Sequence, residues 1–434
     1  MDRKLFFRIL LLASILCVGS SVFAQTPYNI VMNIYDDPKT KMAFNWFTTS
    51  NTTGEQVQIS LGTGAFTPFK TVNANSNQNV HKAVVTGLSP NTTYSFRVGK
   101  ANLWSSIGTF TTAKNNKDYF SFIYITDTQS QNDDYTILQT HCVAAFTNFP
   151  NAKFLLHCGD LVDNGSSQSQ WDQFFTKQQH YFYRYPFAPI QGNHDLSGST
   201  LNFSRHFNLS SPSTSFDSHG STYTYVYGDA QFFAINSEQW SGSTTLDAAY
   251  ITALKNWMRA EVAAHQDIKW RIVYYHKSIY TGASDEQNEQ RCAVWHNTMA
   301  PFFDELNIHL ALQGHSHIYD VIGPIYNINT VSGAVSGVTQ GNVVFPQNAS
   351  GKSGGTFNEQ NGTLYLTNGT FGNKHFFSPL SLIVMPGGAF PFIPHYKTLM
   401  TGRYGQTGKS TYSNISVSTS SIVISTAVCC HVTF

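Results

Sequence analysis

From residue 119 onward, short apolar runs alternate with stretches of helical spacing. Tyr119 to Ile125 is apolar almost without interruption, which predicts a strand buried on both faces. Tyr135, Leu138, Cys142 and Phe146 then recur at helical spacing. Phe154-Leu155-Leu156 predicts the next strand, which runs straight into Gly159-Asp160. Tyr223 to Tyr227 and Gln231 to Ile235 flank Gly228-Asp229, a hairpin signal. Tyr250, Leu254, Trp257 and Met258 predict a helix, and Arg271 to Tyr275 a strand. Trp295, Met299, Phe302, Phe303 and Leu306 predict another helix, and Leu310-Ala311-Leu312 another strand. Such alternation predicts a layered α/β domain, with the aromatic stripes as its core. Residues 322–363 are rich in Gly, Ser, Asn and Thr and predict long surface loops. Tyr412 to Ser425 alternates again, as a terminal hairpin would.

The pattern before residue 113 is different. Lys41 to Trp46 alternates with period two, and turn residues recur about every ten positions, which predicts an all-β unit. In Val85 to Val98 a strand ends, a Ser89-Pro90-Asn91 turn follows, and a new strand begins at Tyr94. That segment resembles the corner of fibronectin type III-like sandwiches, in which a Tyr ties the corner down. Lys114 to Asp118 is polar and reads as a linker. The predicted boundaries are a leader at 1–24, a sandwich at 25–113 and the α/β domain at 114–434. The leader rests on Arg3, Lys4 and Arg8, an apolar stretch from Ile9 to Val18, and Val22-Phe23-Ala24 before Gln25. It implies a secreted, periplasmic or extracellular protein with no membrane span after cleavage.

Composition narrows the function classes. The chain is 41% hydrophobic and 12% charged, as an ordered globular protein would be. Without the leader, 23 basic residues face 24 acidic ones, so nucleic acid is not an expected partner. Five cysteines then remain, an odd number without regular spacing, which argues against a disulfide framework and for buried thiols at Cys142, Cys158 and Cys292. Eight Asn-x-Ser/Thr sequons begin at Asn51, Asn91, Asn202, Asn208, Asn348, Asn361, Asn368 and Asn414.

Five segments place metal-ligand residue types at strand ends: Asp127-Thr128-Gln129, Gly159 to Asp163, Gly192-Asn193-His194-Asp195, Tyr274-Tyr275-His276, and Gly314-His315-Ser316-His317. Together they offer enough carboxylate, amide and imidazole groups for two divalent cations, a set that suits phosphoester hydrolysis. Asp160 follows a strand and a Gly, and is the natural bridging carboxylate. Asp127 can bind one metal terminally, Asn193 offers a carbonyl oxygen, and His276, His315 and His317 offer ring nitrogens. Residues two apart in an extended segment point the same way, so His315 and His317 can reach neighbouring ions.

In this order the segments resemble the calcineurin-like metallophosphoesterase superfamily, and the preceding sandwich resembles the N-terminal domain of purple acid phosphatases. The resemblance implies a four-layer α-β-β-α domain and an acid phosphatase-like enzyme that uses metal-activated hydroxide on phosphate monoesters. Its cofactors would be two metal ions, Fe, Zn or Mn. Asp127, Asp160 and His317 would hold the first, and Asp160, Asn193, His276 and His315 the second. Gln129 stands where the superfamily usually has His, so its amide oxygen would be a weaker ligand or act through water. Asp163 stands where purple acid phosphatases place a metal-binding Tyr, which implies a colourless protein. In protein phosphatase-like relatives a carboxylate at this place orients the His of Gly-Asn-His. His194 is then the candidate general acid, with Asp163, or alternatively Asp195, orienting it. His219 and Arg205 are candidate contacts to a small phosphoester substrate. A phosphodiesterase acting on cyclic nucleotides or lipid head groups is the alternative enzyme. A cell-surface binding protein with a decayed metal site is the alternative of another class.

Overall fold

The computed structural model describes residues 26–130, 134–198, 202–212, 216–281, 289–330, 339–343, 354–358, 362–372, 384–385, 388–389 and 409–430. The leader predicted at 1–24 lies outside them, as do the sequons at Asn348 and Asn361.

An N-terminal sandwich comes first. Its strands are β1 (Tyr28–Asn33), β2 (Met42–Phe47), β3 (Gln56–Leu61), β4 (Pro68–Asn73), β5 (Asn75–Asn77), β6 (Val80–Val85), β7 (Thr93–Lys100), β8 (Leu103–Trp104) and β9 (Gly108–Thr111). One sheet contains β1-β2-β6-β5, and the other contains β4-β3-β7-β8 with β9 on β7. Ile30, Phe44, Trp46, Val57, Phe96 and Val98 are among the residues buried between them. Burying each is worth about 1.5–3 kcal/mol. At the corner, the Ser89 backbone N–H donates to Tyr94 Oη at 2.9 Å, the tie the Ser-Pro-Asn turn predicts.

The α/β domain follows. Its elements are β10 (Phe120–Ile125), α1 (Thr136–Asn148), β11 (Leu155–Cys158), α2 (Gln168–Phe182), β12 (Phe187–Ile190), α3 (Asn202–His206), β13 (Tyr223–Tyr227), β14 (Ala230–Ala234), α4 (Ala248–Ala264), β15 (Trp270–Tyr274), α5 (Gln290–Glu305) and β16 (Leu310–Gln313). Then come β17 (Asp320–Thr330), β18 (Thr339–Val343), β19 (Gly354–Asn358), β20 (Thr363–Thr367), the ribbon β21 (Val384–Met385) and β22 (Gly388–Ala389), and β23 (Lys409–Val417) with β24 (Ser421–Cys430). The described parts of 322–363 are largely strands rather than the surface loops their composition predicts, and the rest of that stretch lies outside the described residues. β17 pairs with β18 and with β20, and register shifts interrupt both ladders. Those shifts erase the period-two signal, while the backbone bonds need none.

Two facing sheets form the middle layers. Phe122, Tyr124 and Leu156 from one meet Phe232, Ile272 and Leu312 from the other. α1 and α2 cover the first sheet with Leu138, Phe146, Trp171 and Phe175. α4 and α5 cover the second with Leu254, Met258, Trp295 and Phe303. The order is helices, sheet, sheet, helices. No described helix is long and apolar enough to cross a membrane.

The sandwich is not a separate bead. β1 pairs antiparallel with β2 and parallel with β12, so the first sheet runs on as β19-β24-β23-β10-β11-β12-β1-β2-β6-β5. Asn208 Nδ2 donates to the carbonyls of Phe44 and Ala83 across this junction. Its sequon is thus spent on structure, as are those of the buried Asn202 and Asn368, which donate to Gly165 O and Tyr124 O.

Candidate metal centre

β10, β11 and β12 run parallel in the first sheet, and β14, β15, β16 and β20 in the second. Their carboxyl ends converge. Asp127 and Asp160 follow β10 and β11, Asn193 and His194 follow β12, His276 follows β15, and His315 and His317 follow β16. Asp127, Asp160, His315 and His317 all have positive φ, at 53°, 56°, 72° and 54°. That conformation costs an L-residue roughly 1–2 kcal/mol, and such strain gathers where geometry must be exact for function. His315 and His317 therefore do not sit in the extended segment their spacing suggests, yet they join different donor groups.

Close packing of backbone makes the convergence possible. A Cβ on Gly192 would lie 2.2 Å from Asp160 Oδ1, and one on Gly314 would lie 2.9 Å from His276 Nδ1. Only glycine fits at either place.

Two groups of donors result. Asp127, Asp160 and His317 present ligand atoms within 4.8 Å of one another, and so do Asp160, His276 and His315. Asp160 belongs to both. In the first group His317 Nε2 is 3.2 Å from Asp127 Oδ1. In the second His276 Nε2 is 3.3 Å from Asp160 Oδ1 and 3.0 Å from Asn193 Oδ1. His276 Nδ1 donates to the Cys158 carbonyl at 2.8 Å, which leaves Nε2 for a ligand.

Charge in the pocket is balanced by proximity. Burial alone would push the Asp127 and Asp160 carboxyls up, but the facing imidazoles, His317 and His276 respectively, hold both below the usual range. Burial alone would lower His276; the Asp160 carboxylate, with Asp127 and Glu238, raises it to about 10. A buried anionic pocket that draws a proton onto an imidazole is one that suits a cation.

Gln129 reaches the first group. Its Nε2 lies 3.0 Å from Asp160 Oδ2 and 3.2 Å from His317 Nε2, and its buried Oε1 has no hydrogen-bond partner among the described residues. Turning the amide over would direct that orphaned oxygen toward the first group's donors. The donor chemistry of both groups, carboxylate and imidazole with one amide each, fits divalent metals.

Of the two carboxylates expected to orient His194, Asp163 stands beside the ring and Asp195 lies elsewhere. His194 Nδ1 donates to the main-chain carbonyl of Asp163 at 2.8 Å, while the Asp163 carboxylate stands at 3.4 Å. Asp195 is fully buried, and its two oxygens accept the backbone N–H groups of Asp160, Leu161, Val162 and Gly192. It clamps the two loops that carry Asp160 and Asn193. Asp195→Ala would orphan four peptide donors, each worth about 1 kcal/mol or more. The variant is expected to lose about 4 kcal/mol or more of stability, read from denaturant midpoints; an unchanged midpoint would refute the clamp.

The two predicted substrate contacts part company. Arg205 faces the sandwich: Nη2 donates to Asn79 Oδ1 at 3.3 Å and the guanidinium lies over the Phe47 ring. It is not drawn to the centre, because α3 lies at the domain junction. His219 sits in a polar cluster with Asn236 and Gln239 at 3.3 and 3.2 Å. Its neighbour across the loop, Glu238, exerts its charge on His219, His276 and Lys277.

Two residues were missed by sequence reasoning. Lys277 directly follows His276, and Glu289 precedes α5; both meet His315 Nε2, at 2.9 and 2.6 Å. Lys277 had a signal, being adjacent to a candidate ligand. Glu289 had none beyond lying in a polar loop.

Residues 27–112 match the purple acid phosphatase N-terminal domain, and residues 120–319 match the calcineurin-like phosphoesterase family. The chain carries a calcineurin-like phosphoesterase domain behind a purple acid phosphatase N-terminal domain. The chain is 24% identical to acid phosphatase type 7 of Danio rerio over 59% of its length and 60% of the relative. It is 22% identical to an uncharacterized Mycobacterium tuberculosis protein over 66% of this chain and 60% of that one. It therefore spans about 60% of the length of these relatives. Its fold is similar to that of purple acid phosphatase PPD1 from yellow lupin (Lupinus luteus), with a TM-score of 0.67 and 13% identity over 93% of this chain and 72% of that one. It is also similar to PhoD, with a TM-score of 0.61 and 10% identity over 95% of this chain and 90% of that one.

Proposed function

We propose that this protein hydrolyses phosphate monoesters with the help of two metal ions, and that it acts outside the cytoplasm. The observation that carries the reading is Asp160, one buried carboxylate shared by two groups of buried donors. Asp127, Gln129, Asp160 and His317 would hold one ion, and Asp160, Asn193, His276 and His315 the other. Two adjacent cations supply an acidified water and neutralise phosphoryl oxygens. The leader-like start supports export, and the acid phosphatase relative supports the monoester class.

The chain's own residues do the rest. Asp160 Oδ1 accepts the His194 backbone N–H at 2.9 Å, so the proposed bridge also positions the proposed acid. The His194 ring is about one-third exposed, as a group that meets substrate should be. Its Nδ1 is committed to the Asp163 carbonyl, which leaves Nε2 to give a proton to the leaving oxygen.

The test is turnover of nitrophenyl phosphate and bis-nitrophenyl phosphate by protein loaded with manganese, zinc or iron. Monoester turnover is expected to dominate, to vanish with chelator and to return with metal. Preference for the bis-ester would replace the reading with a phosphodiesterase. Neither turnover nor bound metal would leave a binding protein.

Gln129 makes the first position the weaker one, because a neutral amide donates less than imidazole. Gln129→His is expected to tighten that ion about tenfold, or 1.4 kcal/mol, in competition with a chelating dye. An unchanged affinity would mean that the position does not depend on this side chain.

A further inference from the structure

Glu289 is the N-cap residue of α5, yet its carboxylate makes no cap bond to the helix. It reaches across instead. Oε2 lies 2.6 Å from His315 Nε2, and Oε1 accepts from Lys277 Nζ at 2.7 Å. Lys277 is buried to 3% exposure, and its ammonium also lies 2.9 Å from the same His315 Nε2. One ring nitrogen thus faces both an anionic acceptor and a cationic donor.

Only one of those contacts can be a hydrogen bond at a time. If Nε2 carries the proton, it donates to Glu289 and the Nδ1 lone pair is open. If Nδ1 carries the proton, Nε2 accepts from Lys277 and Nδ1 cannot ligate. A neutral imidazole carries one proton, so the two groups flanking Nε2 decide which ring nitrogen holds it.

Glu289, His315 and Cys292 also stand close enough together to suggest a third cation position. The Lys277 ammonium already sits on Glu289 and His315, so that cluster has its cation built in.

We propose that Glu289 is a positioning residue that selects the Nε2–H tautomer of His315 and so opens Nδ1 to the second metal, with Lys277 holding the other oxygen of Glu289 in place. The inference rests on the dinuclear reading above. Carboxylates behind ligating imidazoles commonly govern metal affinity about 10–100-fold.

The experiment loads the full chain with cobalt(II) and compares Glu289→Ala and Glu289→Gln with wild type. Metal titration reads both ions, and proton NMR reads the paramagnetically shifted, exchangeable ring N–H signals. Glu289→Ala is expected to weaken the second cobalt about 10–100-fold, to leave the first unchanged, and to lose the His315 N–H signal to solvent exchange. Glu289→Gln keeps an acceptor oxygen without the charge and is expected to restore part of both. A folded alanine variant with wild-type second-ion affinity and a full set of N–H signals overturns the tautomer role alone. Wild-type protein that takes up fewer than two cobalt ions overturns this role and the dinuclear reading together. If the alanine variant does not fold, a glutamine variant equal to wild type in both readouts overturns the role.

Discussion

Asp160→Ala is expected to empty both cation positions at once and to cut turnover about 10³-fold or more. The magnitude follows from losing several kcal/mol of charge stabilisation, at about 1.4 kcal/mol per factor of ten. The side chain is buried and faces both donor groups, with His276 on one side and Gln129 on the other. Its Oδ1 also holds the His194 backbone N–H, so the same change loosens the proposed acid. Asp160→Asn keeps that acceptor and the shape but removes the charge, and should fall between Ala and wild type in metal content. Elemental analysis beside turnover decides the matter. Full metal content in Asp160→Ala would show that the shared carboxylate does not bridge. By contrast, Asp127→Ala touches one group only and should spare the ion at His276.

The ligand types were legible because they stand at the ends of apolar runs. A strand such as Phe120–Ile125 is buried on both faces, so the first charged residue after it lies where the sheet stops. Parallel neighbours stop on the same side, which brings Asp127 and Asp160 together from segments more than 30 residues apart. The layered α/β character was legible for the same reason, whereas the four-layer order followed only from the family resemblance. α2 was not read, because Gln residues dilute a stripe that Trp171, Phe174, Phe175 and Phe182 do carry. β17 was lost to its register shifts. The parallel seam between β1 and β12 had no sequence signal, since a single register pair, Asn33 with Phe187, joins them. Arg205 and Glu289 show the harder limit. Each is a charged residue in a polar stretch, one near the sandwich and one beside the centre, and only the path of the chain tells them apart.

His194→Ala is expected to lower turnover of alkyl phosphates about 10²–10⁴-fold, the usual span for general-acid catalysis, while nitrophenyl phosphate falls far less. An alkoxide needs a proton to depart and a nitrophenolate does not, so the ratio of the two losses isolates proton donation from positioning. The structure adds a control that the residue pattern alone does not offer. His194 Nδ1 is held by the Asp163 carbonyl at 2.8 Å, with the carboxylate farther off at 3.4 Å. A main-chain acceptor survives side-chain substitution. Asp163→Ala should therefore retain most activity on both ester classes, within about tenfold, whereas a carboxylate–imidazole pair would make it as damaging as losing His194. Metal content should be unchanged in both variants, because neither side chain is among the proposed ligands. If His194→Ala depresses both esters equally, the ring holds the phosphate and another group supplies the proton. If Asp163→Ala matches His194→Ala on alkyl phosphates alone, the carboxylate closes onto the ring during turnover, and orientation passes from the main chain to the side chain.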